Sequence, residues 1–258
     1  MNAIPLEQEM EYPSSDGQPM AEGPEHLRVM IDLIDGLTNR YAETPDVWVG
    51  GNFFLYHEKG NPKARVSPDV LMAKGVVKQK GRRNYLLWNE GPPSLIVEVT
   101  SLDTRHRDTG FKKSLYQQIG TEEYVLFDPL GEYLRPPLQG YRLLRGLYQP
   151  IPLEPDGSLL SRTTGLRLKR EGYRLRMVDV ITGKPILWTE ELEARAAEEA
   201  AARQVAEARA TKAEARAAEE TAARQAADAR AAEEAAARET LEKEMRALKE
   251  ELDRLRIG

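Results

Sequence analysis

A glutamate in the middle of an apolar strand is the side chain best placed to do chemistry. Glu98 stands in the run Leu95-Ile96-Val97-Glu98-Val99-Thr100-Ser101. A carboxylate held in such a stretch is costly to bury unless something pairs with it. Upstream, Ser67-Pro68-Asp69-Val70 sets a second acid at the mouth of another short apolar strand. Downstream, Asp108, Lys112 and Tyr116 recur at a spacing of four and share one helical face. Two carboxylates and a lysine converging on one point suit metal-dependent hydrolysis of a phosphodiester. That reaction needs an activated water and neutralisation of the charge growing on the phosphate. A hard divalent ion does both, and Mg²⁺ takes one or two carboxylates plus waters and substrate oxygens.

Asp69 and Glu98 are the candidate ligands. Alternation along the strand sends Leu95, Val97 and Val99 one way and Ile96, Glu98 and Thr100 the other. Thr100 thus shares a face with Glu98, and the backbone carbonyl of Val99 is a further candidate oxygen ligand. Lys112 offers a cation to orient the water or stabilise the phosphorus, with Asp108 and Tyr116 one turn away on each side. Each residue also has a plainer reading. Asp69 after proline suits a turn or strand cap, Glu98 suits the wet face of an edge strand, Lys112 a solvated helix surface, and Tyr116 a core. The chemical reading rests on their conjunction.

A basic stretch, Lys74, Lys78, Lys80, Arg82 and Arg83, has no acid between Asp69 and Glu90. It joins the two candidate ligand strands, so it is expected close to the site, where it could hold phosphates. The alternative is an ordinary charged hairpin loop. Arg105 and Arg107 add positive charge before the helix.

The elements that must position these groups follow from pattern. Residues 1–23, rich in Pro, Glu, Ser and Gly, read as a flexible leader. From Pro24, Leu27, Met30, Ile31, Ile34 and Leu37 form one stripe of an amphipathic helix ending near Thr44-Pro45. Strands are expected at 47–49, 53–56, 69–72, 85–88, 95–100 and 124–127, with Gly50-Gly51-Asn52 a turn signal between the first two. A helix over 109–119, stopped by Gly120, joins the last two strands and makes them parallel neighbours in a βαβ crossover. Residues 133–188 carry short strand-like runs that extend the sheet or form a small β-layer.

Composition limits the alternatives. The chain has 258 residues, 42 acids, 37 bases and no cysteine. Residues 189–258 hold 18 of the acids and 13 of the bases, so the tail carries the whole net charge of −5 and the body is neutral. A neutral body gives no global case for nucleic-acid binding, which must then rest on local patches. The lack of cysteine removes disulfides, thiolate zinc sites and cysteine nucleophiles. Three histidines, His26, His57 and His106, show no paired helical spacing, which gives a zinc hydrolase poor support. No apolar run approaches membrane-spanning length, and a cytoplasmic protein with no membrane partner is expected.

Residues 189–257 lack Pro and Gly, and Ala, Glu and Arg dominate. The block Ala194-Arg195-Ala196-Ala197-Glu198-Glu199 returns at Ala215 and Ala229, offsets that are multiples of seven. Leu241, Met245, Leu248, Leu252 and Leu255 then alternate spacings of four and three, a heptad seam. At ~1.5 Å per residue such a helix reaches roughly 100 Å. The alanine stripe and the leucine seam do not share a phase. The alanine part reads equally as a solvated single helix laced with Glu–Arg pairs; the leucines point to pairing with another helix, as a homodimer.

Together these residues resemble the Uma2 family, a bacterial group of restriction-endonuclease relatives in the PD-(D/E)XK nuclease superfamily. The matching pieces are Ser67 to Val70, Pro92 to Ser101, Asp108 with Lys112 and Tyr116, and Gly120 to Pro129. Gly165 to Leu168 and Asp179 to Gly183 resemble the family's closing region, so coverage runs from about Pro24 to Trp188. The resemblance implies a mixed central sheet flanked by helices and a DNA-cleaving site using Mg²⁺ or Mn²⁺, with Asp69 and Glu98 as acidic ligands. The superfamily's usual lysine two residues after the glutamate is Thr100 here. The resemblance implies that the next helix supplies it, as Lys112, and makes Glu25 on the first helix a candidate further ligand. The expected architecture is an α/β nuclease domain, 24–188, followed by a long helical coiled-coil segment, 189–258. The rival reading is a catalytically inactive nuclease fold that binds DNA or protein, with the coiled coil as its main output.

Overall fold

A computed structural model describes residues 12–13, 23–78 and 81–257, with side chains described to residue 250. Most of the expected leader lies outside the described residues. Of it, Gly23 precedes the first helix, and Tyr12 and Pro13 are docked. The Tyr12 ring packs on Tyr56 and Trp88 at centroid distances of 5.0 and 5.2 Å, and its hydroxyl accepts the Gly60 N–H.

Helix α1 (Pro24–Arg40) carries Pro24 in its first turn, where the missing N–H costs nothing. Then come β1 (Val47–Gly50), β2 (Phe54–Tyr56), β3 (Arg65–Val66), β4 (Val70–Lys74) and β5 (Asn84–Leu86), a one-turn helix α2 (Leu87–Glu90), and β6 (Leu95–Val99). A π-helical turn (Arg107–Lys112) runs into α3 (Lys113–Gln118). After it come β7 (Glu123–Phe127), β8 (Leu138–Leu144), β9 (Leu147–Pro150), β10 (Leu159–Ser161), β11 (Leu166–Glu171), β12 (Arg174–Asp179) and α4 (Thr189–Ile257).

The fold is mixed α/β. Its central sheet runs β1-β4-β6-β7-β8-β9, flanked by two three-stranded sheets, β10-β11-β12 and β3-β2-β5. Within the central sheet β6 and β7 are parallel, with Val97 opposite Val125, and the other pairs are antiparallel. The π turn and α3 form the expected crossover between β6 and β7. Alternate residues of the central strands feed two cores. Val70, Met72, Val97 and Val125 pack under α1 and β10–β12. Leu71, Ala73, Ile96 and Leu126 pack against α3 and the β2-β3-β5 layer. At ~25 cal/mol per Å² this two-sided burial of the central strands is the main term holding the sheet together.

Gly50-Gly51-Asn52, the expected turn, hands the chain from β1 in the central sheet to β2 in another sheet. Two expectations about elements need correction. Leu87 and Trp88 leave the strand for a helical turn, in which the Glu90 carboxylate accepts the Leu86 N–H and Gly91, at φ +77°, ends the turn. The buried stripe of α1 is Val29, Met30, Leu33 and Leu37, while Leu27 and Ile31 are exposed. The true stripe is rotated from the expected one and takes in His26.

Two compact units divide the chain, Met1–Leu192 and Glu193–Gly258. In the first, the opening turn of α4 is clamped onto β12. Arg176 grips the Glu191 carboxylate with two N–H bonds of 2.7 and 2.9 Å. The guanidinium carbons of Arg174 and Arg176 lie 3.5 and 3.2 Å from the Trp188 ring centroid. In the second unit α4 is exposed along its described side chains and carries i,i+4 pairs such as Arg195–Glu199 and Arg203–Glu207. No helix among the described residues is long and apolar enough to cross a membrane.

Candidate active site

Glu98 does not lie on an edge strand. β6 sits between β4 and β7, and Glu98 is fully buried on the face that α3 covers. Both carboxylate oxygens are engaged. Lys112 Nζ donates to Oε2 at 2.8 Å, and the Tyr116 hydroxyl donates to Oε1 at 2.7 Å. Lys112 also ion-pairs with Asp108 Oδ1 at 3.1 Å. The spacing of four thus brings Asp108, Lys112 and Tyr116 inward together, as expected. The segment that does this is not a plain α-helix. A π turn, with its wider i→i+5 closure, holds Asp108 and Lys112 on one buried face before α3 presents Tyr116. Tyr124 braces the turn from β7, its hydroxyl donating to the Asp108 carbonyl at 2.9 Å.

Asp69 precedes the first residue of β4, on the strand beside Glu98, with Val70 paired to Val97. Its Oδ2 accepts the Val99 N–H at 2.7 Å, so the side chain caps the end of the β4–β6 ladder. On its other oxygen, Oδ1 lies 3.3 Å from His26 Nε2, which reaches it from the first turn of α1. The Gly51 backbone fixes Asp69 from behind. A β-carbon at Gly51 would lie 1.9 Å from the Asp69 carbonyl oxygen, so only glycine permits this approach. The next residue, Asn52, donates its N–H to the Pro68 carbonyl at 2.9 Å.

Charge here is unbalanced. Lys112 pairs with Glu98 and Asp108, and Asp69 adds a third acid nearby. Burial, and then the neighbouring Asp69 and Asp108 charges, push the Glu98 carboxyl up to about 8, against the opposing pull of Lys112. The same three acids outweigh desolvation at Lys112 and hold its ammonium charged beyond the ordinary lysine range. Tyr116 is raised by burial and by the Glu98 charge, and stays a donor. Asp108 Oδ2 is buried without a hydrogen-bond donor, and Oδ1 meets only the Lys112 ion pair. Oxygen donors, excess negative charge and a bare buried oxygen suit a hard divalent cation. Among the described residues no three His, Cys, Asp or Glu side chains converge into a closed metal cage.

Other candidates fall elsewhere. Thr100 is buried at the end of β6, with its hydroxyl unbonded. Glu25 is exposed; its neighbour His26, which sequence reasoning passed over, is the α1 residue that reaches the site. The basic stretch is not beside the site. Lys74 ends β4, five residues from Asp69, or about 16 Å of extended strand. Its Nζ donates to the Thr163 carbonyl at 2.6 Å, and Lys78 donates to the Tyr41 and Ala42 carbonyls. Arg82 pairs with Glu90 and stacks on Trp48. Arg83 follows it, and Lys80 lies outside the described residues. The reason is topological. β4 and β6 are antiparallel, so their connection leaves from the end opposite the one carrying Asp69 and Glu98.

Residues 2–176 match the model of the Uma2 family, described as "Putative restriction endonuclease", and the chain belongs to that family. Among solved structures, a crystal structure from Anabaena variabilis, described as "a putative nuclease belonging to DUF820", is similar at 15% identity and a TM-score of 0.41. The match covers 61% of this chain and 86% of that one. No curated protein matches the chain.

Proposed function

We propose that this chain is a metal-dependent endonuclease that hydrolyses phosphodiester bonds of DNA. The observation that carries the reading is half-buried Asp69 and buried Glu98 at adjacent ends of β4 and β6, with the π turn bringing Asp108 and Lys112 to Glu98, in a chain of the Uma2 family. Asp69 and Glu98 would hold Mg²⁺ or Mn²⁺, with the Val99 carbonyl a further oxygen at the same strand end. When bound, the ion supplies neutralisation at the phosphate and activation of the attacking water. Lys112 keeps Glu98 paired and sets a fixed positive charge where charge grows on the phosphate, in a site that cannot reorganise. Tyr116 holds the second Glu98 oxygen and so fixes the rotamer. His26 and the Val99 N–H do the same for Asp69. In the overall reaction water adds to phosphorus and the P–O bond to the leaving sugar oxygen breaks.

Metal dependence tests this directly. Supercoiled plasmid is incubated with the full chain and Mg²⁺, Mn²⁺, Ca²⁺ or chelator. Nicked and linear product with Mg²⁺ or Mn²⁺, lost on chelation, supports the reading. No product with any metal on double- or single-stranded DNA would instead favour a non-catalytic DNA- or protein-binding module. A cytoplasmic location is part of the same proposal, in keeping with a chain that has no cysteine.

A further inference from the structure

We propose that residues 241–255 pair with the same segment of a second copy of this chain as a parallel, in-register coiled coil. The inference is independent of the nuclease reading. Its first observation is exposure. Leu241, Met245 and Leu248 are 63%, 65% and 63% exposed on a helix built mostly of Ala, Glu, Arg and Lys. With Leu252 and Leu255 they follow 4-3-4-3 spacing, so Leu241, Leu248 and Leu255 take d positions and Met245 and Leu252 take a positions. The ion pair between Lys243 and Glu239 at 2.8 Å uses the outer f and b positions and leaves the seam clear.

Charge selects both the occupant and its direction. The g positions are Glu244 and Glu251; the e positions are Glu242, Lys249 and Arg256. In a parallel pair each g faces the following e of its partner. That sets Glu244 against Lys249 and Glu251 against Arg256, twice each by symmetry, with no like-charge contact. An antiparallel pair sets a opposite d, so Leu241 meets Leu252 and Met245 meets Leu248, and it faces g with g and e with e. It sets Glu244 against Glu251 twice, which cancels its two favourable Glu242–Lys249 contacts. A second copy in parallel register therefore satisfies the flanking charges of this segment, and the reversed copy does not.

The absence of cysteine makes the test clean. Sedimentation of the full chain is expected to give a mass of two chains. Leu241→Cys is expected to cross-link to itself on mild oxidation, because the two d positions meet. In the antiparallel pair those residues lie roughly 16 Å apart, eleven residues of helix. There only a mixture of Leu241→Cys and Leu252→Cys chains would cross-link. Glu244→Lys is expected to weaken the dimer roughly three- to ten-fold, and Glu244→Lys with Lys249→Glu in one chain to restore it. Circular dichroism on each variant separates lost pairing from lost helix. A monomer, a trimer, cross-linking only in the mixture, or a dimer strengthened by Glu244→Lys would each overturn the proposal. A monomer would leave the seam to another protein.

Discussion

Lys112 and Glu98, fourteen residues apart, form a buried 2.8 Å ion pair between a π turn and the central strand of the sheet. Removing one partner of such a pair strands the other charge in the core, at about 3–5 kcal/mol. Lys112→Met is expected to cost that much in urea denaturation near pH 9, above the raised Glu98 value, where both partners carry charge. Glu98→Gln with Lys112→Met should recover most of it, because no lone charge remains beside Tyr116. A double variant as unstable as Lys112→Met alone would show that the loss is one of packing.

The Glu98 carboxyl predicts a pH dependence with a definite sign. Its folded value of about 8 lies above the ordinary 4.5. Between those values the folded chain holds a proton that the unfolded chain has released. Stability linked to this group is therefore full below 4.5, falls as pH rises toward 8, and levels off above. Without divalent metal, the unfolding free energy of the parent relative to Glu98→Gln should decline from about pH 5 to about pH 8.5. A difference that stays flat would refute the raised carboxyl.

Gly51 positions Asp69 by contact alone. Gly51→Ala drives a methyl into the Asp69 carbonyl, and overpacking of this kind costs about 1–3 kcal/mol. Cleavage should fall by more than the stability loss explains, because the displaced backbone carries the carboxylate with it. Activity measured well below the unfolding transition separates the two effects. Unchanged cleavage and stability would show that the loop moves aside freely.

Much of the fold was legible because the signals are local. Alternation in Leu95 to Val99 fixed the face of Glu98, and the strand–helix–strand order fixed the parallel neighbours. Asp108 and Lys112 were legible as a pair because side chains four apart meet on either an α or a π turn. The π character itself was not, since it depends on closure against Tyr124. His26 was missed because Leu27 and Ile31 made a false stripe: they are apolar but exposed, and only packing on β12 selects Val29 and Leu33. The misplaced basic stretch was avoidable. Asp69 begins its strand and Glu98 nearly ends its own, so in adjacent antiparallel strands the connection must lie at the far end.

Side-by-side cleavage of supercoiled plasmid by the parent, Asp69→Asn and Glu98→Gln, with the stability of each measured in the same buffer, tests the site most directly. Both substitutions keep shape and one acceptor oxygen, turn the other oxygen into a donor, and remove a charge. Loss of Mg²⁺-dependent cleavage by at least about a hundred-fold, in variants that remain folded in the assay buffer, is the predicted result. Folded variants that cleave as fast as the parent would contradict a site built on Asp69 and Glu98.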